Sequence, residues 1–105
     1  MPETNFQIQW PDGNQELCYS PSLVVKKYFN AEQDYSLSEF VALSRTALED
    51  GSDRVKAQFG FSCSKALGQL KIIEDKAKKY SNLSDPKVRL LKFIDVQTKE
   101  QFNKN

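Results

Sequence analysis

The sequence predicts an α+β fold: an N-terminal β-hairpin and a C-terminal strand forming a small antiparallel sheet, packed against about three helices. Three observations carry this reading. Phe6, Ile8 and Trp10 alternate with Gln7 and Gln9, the period of a strand with one buried face, and a turn sequence follows. Cys63, Ala66, Leu67, Leu70, Ile73, Ala77 and Tyr80 form a helical stripe of period 3.6. Val88 to Val96 returns to alternation.

The hairpin comes first. Pro11-Asp12-Gly13-Asn14 is a turn by chemistry, since Pro presets φ, Asp bonds locally and Gly tolerates positive φ. Gln15 to Tyr19 is the return strand. Opposed residues of an antiparallel pair share a face, so setting Trp10 against Gln15 puts Ile8 with Leu17 and Phe6 with Tyr19. A three-residue loop would instead set Trp10 against Asn14 and Ile8 against Glu16. Collecting the apolar groups on one side favours the first register and leaves Cys18 on the polar face.

Ser20-Pro21 reads as the start of a first short helix, capped by Ser20 and burying Val24, Val25, Tyr28 and Phe29. Residues 31–34 read as a loop. Ser36 and Glu39 have capping-box spacing and Tyr35 with Phe40 the spacing of a hydrophobic staple, so a second helix begins there. Residues 37–59 fit one long helix, the favoured reading, or two shorter ones, since Gly51 is a weak point and Ser52 could cap a new segment; Gly60 ends the helix in the left-handed conformation. The third helix opens at Ser62. In the last strand Val88, Leu90, Ile94 and Val96 fall on one side and Leu91 and Phe93 on the other, suggesting a strand that is central or covered, though Lys92 interrupts the first face. Residues 97–105 are polar and read as a flexible tail, and the whole chain, 1–105, as a single domain.

Composition limits function. Fifteen basic and fourteen acidic residues give a net charge of +1, which argues against a general polyanion binder. No apolar run approaches the about 18 residues needed to cross a bilayer, and no signal peptide is evident, so a soluble cytoplasmic protein without membrane contact is expected. With no histidine, Ser-His-Asp and Cys-His mechanisms are excluded. Two cysteines and no histidine make a metal site a poor reading, and no cofactor motif is present.

Three features carry a functional alternative. Cys63 stands at the first turn of the third helix, near Lys65, where a helix terminus favours a thiolate. The expectation is instead a small residue sealed in the corner by Phe59, Phe61 and Leu67, where burial wins over the helix terminus and the thiol alkylates slowly in the folded protein. Residues 53–77 fit the apolar and glycine positions of a helix-turn-helix, although Lys56 and Gln69 depart from that pattern. Arg45 and Arg54 are candidate anion or partner contacts. Nine residues is about two and a half turns, so on one straight helix they point to opposite sides.

Trp10-Pro11-Asp12-Gly13, Cys18-Tyr19-Ser20-Pro21-Ser22, Ser44-Arg45-Thr46-Ala47-Leu48, Arg54-Val55, and the run from Gly60 to Leu70 together resemble a small bacterial family, the nitrogen starvation response proteins. The likeness covers about Phe6 to Tyr80. It implies a nitrogen-limitation context and a gene neighbourhood of nitrilase-type hydrolases. It implies no reaction and transfers no catalytic or binding residue to this chain. The resulting expectation is a non-catalytic accessory protein with a protein partner, with DNA-binding regulation through residues 53–77 as the alternative and thiol chemistry at Cys63 third.

Overall fold

The computed structural model describes residues 3–95. Its sheet has four antiparallel strands in the order β2-β1-β4-β3: β1 Thr4–Gln9, β2 Gln15–Ser20, β3 Gln33–Ser36 and β4 Lys87–Asp95. Two α-helices, α1 Leu37–Phe59 and α2 Ser64–Ala77, pack on one face. The α+β class is therefore as expected, with one more strand and one fewer α-helix. The expected first helix is a five-residue 3-10 segment, Leu23–Lys27, capped by Ser22 rather than Ser20. Its Val24 and Val25, and Phe29 just after it, are buried as anticipated, whereas Tyr28 is only partly buried; so short a segment cannot repay the nucleation of an α-helix. Expected strand residue Val96 and the tail at 97–105 lie outside the described residues.

The hairpin adopts the register that face-sharing disfavoured. Ile8 opposes Glu16, Phe6 opposes Cys18, and Leu17 faces Gln7. The loop decides it. Gly13 takes φ 93°, its N–H donates to Trp10 O at 2.8 Å, and Trp10 N–H donates to Asn14 O at 2.7 Å, closing a three-residue loop. Asp12 accepts the Asn14 N–H at 3.0 Å and reinforces the turn. Cys18 is consequently buried in the core and Leu17 is 52% exposed. Glu16 is tolerated next to the core because its Oε1 accepts from Trp10 Nε1 and from Lys76 Nζ, both at 2.8 Å.

β4 resolves its two-sided apolar pattern by a bulge. Gln7 pairs with Lys92 but Ile8 with Leu90, so Leu91 is the extra residue. Val88, Leu90 and Phe93 therefore point into the core and Ile94 points out, and the outer face of the sheet stays open to solvent. β3, read as loop, is an edge strand with only Tyr35 turned inward. It is held by its ladder to β4 and by the Glu32 N–H to Leu90 O bond of 2.7 Å.

α1 is one continuous helix through Gly51. Ser36 Oγ accepts the Glu39 N–H at 3.2 Å, and Tyr35 and Phe40 are both buried, as a capped and stapled start requires. Gly51 is no break. A Cβ there would stand 3.1 Å from Pro21 Cγ, so the glycine is the notch into which the chain after β2 packs. Gly60, at φ 88°, ends the helix with its N–H on Lys56 O at 2.8 Å. The core joins Phe6, Ile8, Trp10, Cys18, Val88 and Leu90 of the sheet side to Phe40, Ala47, Leu48, Ala66, Leu70 and Ile73 of the helices. Phe29 packs on Phe6, Tyr35 and Phe40 with ring centroids 5.2–6.0 Å apart.

Candidate functional site

Two regions of the helical layer hold most of the residues singled out by sequence. The first is the corner between α1 and α2. After Gly60 the chain folds back, and the Cys63 N–H donates to Ser52 Oγ at 3.1 Å, tying the start of α2 to the middle of α1. Cys63, not Ser62, is the N-cap residue of α2, and no side chain caps that terminus. The expected seal over the sulfur is absent. Phe59, Phe61 and Leu67 are 52%, 67% and 43% exposed, and Cys63 itself is half-buried. The left-handed turn at Gly60 presents the two phenylalanines outward from the helix end, and the residues that do fill the corner are Ser52 and Ala66.

Tyr19 borders this corner and was missed by sequence reasoning because the wrong register placed it in the core. Its phenol donates to the Glu3 carboxylate at 2.6 Å, and Lys65 Nζ lies 4.1 Å from its ring centroid. Burial, then the bond to Glu3, pushes its pKa up. Gln69, the residue out of place for a helix-turn-helix, is explained by the sheet: its Oε1 accepts the Tyr19 N–H at 2.9 Å, blocking one donor on the β2 edge.

The second region is an open groove of about 1080 Å³ between the N-terminal half of α1 and the C-terminal half of α2. Leu37, Val41, Ala42 and Ala77 supply its apolar lining, with Arg45 and Glu74 paired across it. Arg45 also lies 3.8 Å from Glu49. Arg54 is elsewhere: its Nε donates to Asp50 at 3.0 Å, and Asp50 also accepts from the Tyr28 hydroxyl at 3.0 Å. The continuous helix thus keeps the two arginines apart, each engaged with surface carboxylates. The lysines of α2 are interleaved with acids. Lys71 lies 3.7 Å and Lys78 3.9 Å from Asp75, and Lys76 pairs with Glu16.

Among the described residues no three cysteine, aspartate or glutamate side chains come together to hold a metal ion. Nor is any described helix long and apolar enough to cross a membrane. The described residues present an exposed apolar corner and a groove lined by opposed charges.

Comparison with curated proteins and with solved structures found no match to either. A family model described as "Nitrogen starvation-induced protein NitG" matches residues 5–93, from the second residue of β1 to the inward Phe93 of β4, and so takes in nearly all of the sheet, both helices and the corner between them. The chain belongs to the nitrogen starvation-induced protein NitG family.

Proposed function

We propose that this protein is a non-catalytic interaction module of the nitrogen-limitation response, acting by contact with an enzyme of a nitrilase-type nitrogen-scavenging pathway. The observation that carries the reading is the corner: Phe59, Phe61 and Leu67 leave three large apolar side chains in water within nine residues of chain. Clustered exposed apolar groups of this kind mark contact surfaces. Family membership supports the physiological setting, and the nitrilase link rests on the resemblance alone.

The test is affinity capture from nitrogen-starved cells with the wild-type chain and with Phe61→Ser. A discrete protein held by the wild type and lost by the variant is the expected result. Identical sets of retained proteins would sink the reading.

DNA-binding regulation through residues 53–77 is the second reading, favoured by a single feature: from Arg54 to Ile73 the chain carries Arg54, Lys56, Lys65 and Lys71 and no acid. The interleaving of the later α2 lysines with Asp75 and Glu16 counts against a continuous phosphate-binding face. Mixed-sequence duplex DNA should bind no tighter than about 10 µM near physiological salt. Salt-sensitive nanomolar binding would promote this second reading. Thiol chemistry at Cys63 ranks third.

A further inference from the structure

We infer that the corner formed by the end of α1 and the start of α2 recognises an acidic protein segment that carries large apolar side chains. This deepens the interaction-module reading and rests on it. The corner combines two properties, exposed apolar side chains and lysines unpaired among the described residues. Its apolar part is Phe59, Phe61 and Leu67, all exposed. Its charge is mostly of one sign: the twenty residues from Arg54 to Ile73 hold four basic side chains and no carboxylate, with the exposed Asp53 one residue before them. The carboxylates that reach this stretch from neighbouring elements are engaged: Asp50 pairs with Arg54, Asp75 with Lys71, and Glu3 accepts from the Tyr19 phenol. Among the described residues Lys56 and Lys65 have no carboxylate partner, and both are exposed.

An apolar centre with a lysine rim is matched by apolar anchors flanked by Asp and Glu, since complementary potentials steer encounter and fix register. A second copy of this chain is a poor occupant. A two-fold contact sets the same patch against itself, which would oppose lysine rim to lysine rim. Duplex DNA would satisfy the lysines but, with its bases stacked inside the helix, would leave the phenylalanines without an apolar partner.

The test uses the full chain and three fluorescein-labelled peptides of equal length: one with Asp/Glu and Leu/Phe, one with the acids replaced by Lys, and one with the apolar residues replaced by Ser. Fluorescence anisotropy should give a dissociation constant below about 100 µM for the first peptide alone, weakening as salt rises. The other two peptides should bind at least about tenfold more weakly. The variant Lys56→Glu/Lys65→Glu, which keeps the apolar groups, should lose the acidic peptide by at least about tenfold and gain the basic one. Circular dichroism checks that the variant is folded, and Lys56→Gln serves if it is not. Equal binding of the acidic and basic peptides, equal binding without apolar residues, no peptide binding, or tighter binding of duplex DNA each overturns the proposal. If charge reversal leaves the captured cellular protein in place while Phe61→Ser removes it, the acidic specificity falls and the interaction module stands. If both variants retain it, both fall.

Discussion

Gly51→Ala separates two accounts of a glycine in the middle of a 23-residue helix. Were Gly51 an ordinary helix-interior glycine, alanine would add about 1 kcal/mol of stability through lower backbone entropy in the unfolded chain and better helix propensity. Here the new Cβ would lie 3.1 Å from Pro21 Cγ, 3.4 Å from Pro21 Cδ and 3.7 Å from Ser22 Cβ. The proline ring has little freedom to yield, because Ser20 Oγ donates to Ser22 O at 2.7 Å across it and Ser22 caps the 3-10 segment. Overpacking of this kind costs about 1–3 kcal/mol, so the net expectation is a loss of about 1 kcal/mol, or a fall in Tm of about 4–8 °C. Gly68 on α2 is the internal control, with nothing within 4 Å of its added Cβ. Gly68→Ala should raise stability by up to about 1 kcal/mol. Urea denaturation of both variants gives the comparison. Stabilisation by Gly51→Ala equal to that by Gly68→Ala would refute the notch.

Three further outcomes are expected of the same structure. Cys63, half-buried and without its expected apolar seal, should alkylate with iodoacetamide in the folded protein; Cys18, whose thiol burial pushes up, should react only on unfolding, and peptide mass spectrometry distinguishes them. Leu17→Ser should change stability by less than about 0.5 kcal/mol and Cys18→Ser lower it by about 1–3 kcal/mol; the reverse order in denaturant melts would support the register that pairs Ile8 with Leu17. The bond from the Asn14 N–H holds the Asp12 carboxyl below its ordinary range, and Lys26 does the same for Asp95. Groups with depressed folded pKa values contribute stability that is complete above the unfolded value and lost as pH falls through the folded one. Stability should therefore drop below about pH 4, and Asp12→Asn should reduce that drop in acid melts.

What was legible depended on whether local chemistry and burial agreed. Ser36, Glu39, Phe40 and Gly60 state the limits of α1 twice over, by capping and by periodicity, and the structure follows both. In the hairpin the two signals conflict. Pro11-Asp12-Gly13 encodes a three-residue loop, whereas the apolar spacing of β2 asks for the other register, and the turn prevails because Glu16 finds Trp10 and Lys76 while Cys18 fills the core. The bulge at Leu91 is invisible to a strict period of two, and so Phe93 and Ile94 were assigned to the wrong sides. β3 carries almost no apolar signal because an edge strand on a ladder needs only Tyr35 turned inward. At the corner between α1 and α2 the sequence located the turn at Gly60 and misread the packing around Cys63. The same phenylalanines that read as a lid over Cys63 are left outside by the left-handed turn at Gly60, an outcome that side-chain pattern alone does not encode.

The claim that this corner is a protein-contact surface is tested most directly by site-specific photo-cross-linking in nitrogen-starved cells. A benzophenone amino acid replaces Phe61 in one strain and, in a control strain, Ile72, which is 45% exposed on α2. Position 61 should give a discrete, irradiation-dependent protein adduct that is absent from position 72. No adduct from position 61, the same adducts from both positions, or an adduct sensitive to nuclease rather than protease would contradict the claim.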